Sequence, residues 1–307
     1  MLTIWRFSDG KRGHDNQSLG LAEALCRLMP CQVETLPVAR GWPCAISWLA
    51  GRFQPGKNLP RPDLIVGAGH GTHWPMLAAR RAHGGRIAVL MKPSLPLSWF
   101  DWVIVPAHDG LPESPSVLVT QGPINRVLPG SARRQEQGLM LIGGPSAEYG
   151  WNETALLKQI HLIALHRPAT QWQLTTSRRT PAGFLADLTR LGLGNVKACA
   201  HDAVDAAWLP EQLANAAEVW VTPDSASMVY EALTSGAAVG CFELPYAKPG
   251  RVARGLEKLV RDKRLAGFAD WERSGVLPPN DQPLNEAGRC ARHLLQCLNK
   301  QTCARAS

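Results

Sequence analysis

No stretch of this chain approaches the roughly 20 consecutive apolar residues that a membrane-spanning helix needs. No Cys-x-x-Cys pair occurs among its eight cysteines, at positions 26, 31, 44, 199, 241, 290, 297 and 303, so neither a zinc framework nor a disulfide scaffold is indicated. Scattered thiols of this kind suit a reducing, cytoplasmic interior. The basic residues come in pairs such as Arg80-Arg81, Arg133-Arg134 and Arg178-Arg179, not in tracts. Zinc-finger spacing, RNA-binding aromatic motifs and basic heptads are all missing, which argues against nucleic acid as a partner. The net charge of +8 then points to phosphates or to an acidic lipid surface. The opening Met1-Leu-Thr-Ile-Trp-Arg-Phe-Ser-Asp-Gly10 lacks the basic start and long apolar centre of a signal peptide and reads as a first buried strand.

What is present is a globular composition. Hydrophobic residues make up 45% and charged residues 19%, and 307 residues leave room for two domains of ordinary size. Strand-like and helix-like segments alternate throughout, the pattern of α/β architecture with parallel sheets. Leu2 to Phe7, Cys31 to Leu36, Pro62 to Gly71, Ile87 to Met91, Trp102 to Val105 and Val117 to Thr120 read as strands of a first half. The loop Ser8 to His14 leads into a helix near Asn16 to Leu28, where Leu21, Leu25 and Leu28 recur at helical spacing. The polar run Pro129 to Gln137 is the linker candidate. The pattern restarts with Leu139 to Ile142, Trp172 to Thr176, Val219 to Thr222 and Ala237 to Phe242. The expectation is two Rossmann-like, doubly wound domains facing a central cleft, over 1–130 and 138–280, with a C-terminal helix and tail over 281–307. In such sheets ligands sit at the carboxyl ends of the strands.

The run Thr222-Pro-Asp-Ser-Ala-Ser-Met-Val-Tyr-Glu231 follows one of these strands. Asp224, Ser225 and Ser227 open a helix whose first amides lack intrahelical partners and whose dipole favours negative charge. Glu231 lies four residues after Ser227 on the same face, where a carboxylate can accept from two ribose hydroxyls. The turn reads as half of a nucleotide or nucleotide-sugar site; the alternative is an ordinary helix start capped by Asp224 or Ser225. Gly143, Gly144 and Ser146 would offer backbone amides to phosphate, or form a plain turn. Arg178 and Arg179 follow a strand, where a guanidinium can chelate phosphate. His14 is the candidate general base, with Asp15 as its backup or orienting partner. Asp9 would cap the turn or act as base itself. The alternative for His14 is a loop histidine capping the next helix. Gly67, Gly69 and Gly71 suit a tight turn but not a GxGxxG fingerprint, so no dinucleotide cofactor is expected. His70 and His73 are three apart without a third ligand at suitable spacing, so no metal is expected. Trp42, Ile46, Trp48, Leu49 and Phe53, with Arg40, Arg52 and Lys57, read either as an interfacial membrane patch or as a packed helix and loop.

Three of these segments carry a resemblance. Ser8-Asp-Gly-Lys-Arg-Gly-His-Asp-Asn-Gln17, Leu141-Ile-Gly-Gly-Pro-Ser146 and Asp224-Ser-Ala-Ser-Met228 resemble the Elm-type mitochondrial fission family over nearly the whole chain. The motif order Gly10 to His14, Pro62 to Gly71, Gly143 to Ser146 and Ser225 to Glu231 is also similar to the GT-B glycosyltransferases, nearest the peptidoglycan N-acetylglucosaminyltransferase. The resemblance implies that the C-terminal domain holds a nucleotide sugar of the UDP type and the N-terminal domain an acceptor, lipid-linked or of the cell envelope. Transfer would be metal-free, with the diphosphate charge carried by helix amides and basic residues. Lys11, Arg12, Gly69 and His70 would face the acceptor. Lys11 and Arg12 stand where the glycosyltransferase loop is more uniformly glycine, and could supply charge to an acceptor phosphate. Peripheral contact with an anionic membrane would follow. Two other functions use such a scaffold. Plant members of the fission family are implicated in recruiting a dynamin-related GTPase, which would make the protein an adaptor. A sugar-nucleotide epimerase would need further acids and bases that the sequence does not offer.

Overall fold

The computed structural model describes residues 1–38, 44–130, 134–205, 207–248 and 250–306, and they form two compact units. One is Met1–Arg126 with Asn285–Ser307; the other is Val127–Leu284.

The first unit runs β1 (Leu2–Ser8), α1 (Arg12–Leu28), β2 (Cys31–Pro37), α2 (Cys44–Leu49), β3 (Leu64–Ala68), α3 (His73–His83), β4 (Arg86–Leu90), β5 (Trp102–Pro106) and β6 (Val117–Thr120). All six strands are parallel, in the order β2-β1-β3-β4-β5-β6. Inner strands of such a sheet are covered on both faces and read as continuous apolar runs. Leu64-Ile-Val-Gly-Ala68 does so, and every one of its residues is buried. The chain passes from β2 back across β1 to β3, so the loops after β1 and β3 diverge from a topological switch point. Helix α1 starts at Arg12, earlier than the periodicity near Asn16 indicates, because the Asp15 amide already donates to the Lys11 carbonyl at 2.9 Å. His14 therefore lies in the first turn of a helix and not in a loop.

The second unit runs β7 (Arg134–Leu141), α4 (Glu153–His166), β8 (Gln171–Thr175), α5 (Phe184–Arg190), β9 (Val196–Cys199), α6 (Trp208–Asn215), β10 (Ala216–Val221), α7 (Ala226–Ser235), β11 (Ala238–Cys241), α8 (Arg251–Arg261), β12 (Ala266–Gly267) and α9 (Phe268–Ser274). Its sheet is also parallel, in the order β12-β11-β10-β7-β8-β9. Numbered from β7, this is the Rossmann order 3-2-1-4-5-6 read from the other edge, with its switch point between β7 and β10. Strands β9 and β12 carry no sequence signal: β9 is partly exposed and β12 has two residues. The core centres on buried tryptophans, with Trp220 edge-on to Trp271 at 5.1 Å between centroids. Of the linker candidate, residues 131–133 lie outside the described residues, and Arg134 to Gln137 already belong to β7.

Helix α10 (Glu286–Ala306) packs into the first unit beside α1. Cys290, Ala291 and Leu294 are fully buried there, and Arg289 ties it to the sheet by donating to the Val119 carbonyl at 2.5 Å. Among the described residues no helix is long and apolar enough to cross a membrane.

Candidate functional site

At the switch point of the first sheet, β1 delivers Asp9 and the first turn of α1 delivers His14. His14 Nδ1 stands 2.9 Å from Asp9 Oδ2. The His14 ring rests on the backbone of Gly69, just past β3, and a Cβ there would overlap it. Gly69 also has φ +83°, which glycine adopts at no steric cost. Burial pushes the Asp9 carboxyl up. The His14 hydrogen bond, the Lys11 amide, and the charges of His14 and Lys11 outweigh it, and its pKa falls below the ordinary value. An ionised carboxylate only accepts, so the Nδ1–H of His14 donates to it and the lone pair stays on Nε2.

The neighbouring candidates divide. Asp15 does not orient His14. It pairs with Arg6 at 2.8 Å, and Arg6 also donates to Ser18 and Thr35. Arg6 is buried, so Asp15 is the counter-ion that such a cation needs. Lys11 lies 3.7 Å from Asp9 but is mostly exposed, as is Arg12. His70 is exposed on the turn after Gly69, and its ring meets that of buried His73 at 5.5 Å. Burial, then the charge of His70, lowers the His73 pKa to about 4, so this imidazole is neutral. Its Nδ1 lies 3.4 Å from Ser94 Oγ, on the loop after β4. That loop begins with Met91 at φ +71°, a strained value for a non-glycine residue that no sequence signal marks.

In the second unit three separate motifs converge at the switch point between β7 and β10. The Gly143 amide donates to Thr222 Oγ1 at 2.7 Å and the Gly144 amide to Asp224 Oδ2 at 3.1 Å. Thr180 Oγ1 donates to the Ile142 carbonyl at 3.1 Å, and Arg179 Nη2 reaches Asp224 Oδ2 at 2.6 Å. A Cβ on Gly143 would overlap the Asp224 carboxylate, and one on Gly144 the Arg179 carbonyl. The glycines therefore make room for close packing, and their amides are engaged within the protein rather than presented to phosphate. The same holds for Ser146: its amide donates to the Tyr149 carbonyl at 2.8 Å and its hydroxyl accepts from the Tyr149 amide at 3.1 Å. The loop is also pinned to the one after β11, where the Gly150 amide donates to Pro245 at 2.7 Å and Tyr149 stacks on Tyr246.

The start of α7 differs from the β7 loop in having no side-chain cap. Ser225 is its N-cap, in extended conformation with no side-chain cap bond, and Ser227 is exposed. Amides of the first helical turn have no intrahelical partner. Glu231 is half-buried on the following turn. Arg178 is exposed, and the Arg179 side chain is 43% exposed beside the pair it forms with Asp224. Thr222 and Thr180, which lace the loops together, were not indicated by any spacing.

The aromatic stretch after β2 divides as well. Phe53 is buried against Trp5 and Phe7, and Trp48 stacks on Trp99 at 5.7 Å under the Arg81 guanidinium. Ile46 and Leu49 are instead exposed, at 66% and 67%. Arg40 and Trp42 lie outside the described residues. Among the described residues no three His, Cys, Asp or Glu side chains are grouped to hold a metal.

A model of the family described as mitochondrial fission ELM1 matches residues 12–298. No curated protein matches the chain in sequence. Solved structures match it from end to end. A protein described as a candidate UDP-N-acetylglucosamine 2-epimerase from Listeria monocytogenes is 12% identical, covers 98% of this chain and 96% of its own, and has a TM-score of 0.61. MurG of Acinetobacter baumannii is 14% identical over 98% and 100%, with a TM-score of 0.54. A UDP-GlcNAc 2-epimerase from Neisseria meningitidis, bound to UDP-GlcNAc, is 11% identical over 96% and 100%, with a TM-score of 0.51. The shared fold is GT-B-like, two Rossmann-like α/β units on parallel sheets.

Proposed function

The chain belongs to the mitochondrial fission ELM1 family and has a GT-B-like fold, and from that premise we propose that it is a sugar-nucleotide enzyme. Within that class we propose a metal-independent glycosyltransferase that moves a sugar from a UDP-sugar to an acceptor hydroxyl. The observation that carries this is the Asp9–His14 pair at a switch point, with Nε2 left to accept a proton. An acceptor hydroxyl gives its proton to Nε2, and its oxygen attacks the anomeric carbon with inversion. The bond from that carbon to the β-phosphate oxygen breaks, and UDP leaves with the electron pair. The α7 amides, Arg178 and Arg179 meet the growing diphosphate charge. Ser225 and Ser227 add hydroxyl contacts, and Glu231 accepts from the ribose. Lys11, Arg12, Gly69 and His70 line the acceptor side. The solved relative that holds UDP-GlcNAc supports the choice of nucleotide.

The acceptor we propose is lipid-linked or of the cell envelope. Exposed Ile46 and Leu49, with Arg52 and Lys57 following in sequence, support contact with the apolar and anionic layers of a membrane surface. The protein would then work in the cytoplasm, at the inner membrane face.

Thermal unfolding of the pure protein against UDP, GDP, ADP and UDP-sugars is the test. At about 100 times its dissociation constant a ligand adds roughly 2.7 kcal/mol, a visible shift in Tm. A UDP-selective shift, followed by acceptor-dependent release of UDP that His14→Ala abolishes, is the expected result. Conversion of the UDP-sugar without an acceptor would make the protein an epimerase. No shift with any nucleotide would leave the adaptor role.

A further inference from the structure

Asp224 poses a physical problem for an anion site. Its side chain is wholly buried at the start of α7, where a carboxylate repels phosphate with no water to screen it. Its Oδ2 takes the Gly144 amide and one nitrogen of Arg179, while Oδ1 has no hydrogen-bond partner among the described residues. Desolvating a carboxylate this far is unfavourable unless a cation offsets it. Arg179 is the cation the structure supplies. Only its Nη2 makes a side-chain hydrogen bond among the described residues, and the side chain is 43% exposed. The guanidinium is therefore held at one corner on a side chain that is partly open to solvent.

We propose that Asp224 is not a ligand contact but a positioning residue that aims Arg179 at the diphosphate of a nucleoside-diphosphate donor. The inference rests on the nucleotide reading above. The buried anion fixes one nitrogen of the guanidinium, and its remaining N–H groups grip phosphate in the planar, two-bond manner that lysine cannot reproduce. Gly143 and Gly144 belong to the same device, because their lack of Cβ lets the carboxylate and the Arg179 loop close on the β7 turn. The clamp acts on phosphate, so it discriminates UDP from uridine and leaves the base and ribose contacts alone.

The sign of the effect separates this from simple electrostatics. Asp224→Asn removes a negative charge beside the phosphates, so a carboxylate that merely repels ligand would bind UDP more tightly once neutralised. A positioning carboxylate would bind it more weakly. Calorimetry on the full chain with UDP and with uridine, for wild type, Asp224→Asn, Arg179→Lys and the double variant, reads this out. Unfolding curves for each check that the variants are folded, and Arg179→Lys keeps a cation beside Asp224 should the other variant unfold. Expected is a loss of at least about tenfold in UDP affinity for either single variant, with uridine unchanged. The double variant should be no weaker than Arg179→Lys alone, since one residue acts through the other. Tighter UDP binding in Asp224→Asn, equal losses for uridine and UDP, or additive losses in the double variant would overturn the inference alone. A wild type that binds neither ligand would overturn the nucleotide reading with it.

Discussion

His14 and Asp9, five residues apart, meet through a 2.9 Å contact between Nδ1 and Oδ2, which sets the tautomer of the histidine. An asparagine at position 9 can turn its amide N–H₂ toward Nδ1, move the imidazole proton to Nε2 and remove the base. Asp9→Asn should lower kcat by about two to four orders of magnitude while UDP affinity holds. Steady-state kinetics with calorimetry checks it; a kcat within about threefold of wild type would rule out the role.

Gly69 and Gly71 make a paired comparison. Gly69→Ala drives a Cβ into the His14 ring at a φ of +83°, whereas a Cβ at Gly71 meets nothing closer than Asp9 Cβ at 3.6 Å. Gly69→Ala should cost about 1–3 kcal/mol of stability and most of the activity. Gly71→Ala should be nearly silent. Urea unfolding and turnover of both proteins decide it, and equal effects would show that His14 does not depend on Gly69.

His73 sets a pH window. Its pKa falls from 6.5 to about 4 on folding, so below pH 6.5 the unfolded chain takes up a proton that the native state does not. Stability from this residue is complete above pH 6.5 and is lost progressively down to about pH 4, by about 3 kcal/mol. His73→Gln should flatten this part of the pH profile in urea titrations. An unchanged slope between pH 6.5 and 4 would place the proton uptake elsewhere.

Glu231 is the proposed ribose contact. If it accepts two hydroxyl donors, Glu231→Ala should weaken UDP binding by about 2–4 kcal/mol, because hydrogen bonds to charged groups are the stronger kind. Loss of less than tenfold in calorimetry would argue for a structural carboxylate.

Leu294 tests the return of the C-terminal helix. It is fully buried on α10 within the core of the first unit. Leu294→Ala should cost about 2–5 kcal/mol in urea unfolding. A cost near zero would mean that α10 does not pack there.

Much of this protein is set by its local sequence. Apolar runs such as Leu64 to Ala68 and the leucine spacing of α1 specify strand and helix within a few residues, because backbone hydrogen bonding and burial act locally. Gly69 after β3, Ser225 before α7 and the paired arginines after β8 stand in the loops that follow strands for the same reason. What tertiary structure alone decided is which of these ends meet. Strand order is a non-local property, and it brings Thr222 to Gly143 across 79 residues and Arg179 to Asp224 across 45. It also selected Asp9 over Asp15 as the partner of His14, because buried Arg6 claims Asp15. It turned the Gly143 and Gly144 amides inward and carried α10 back to the first sheet. Side chains compete for partners in three dimensions, and a one-dimensional pattern of residue types does not record that competition.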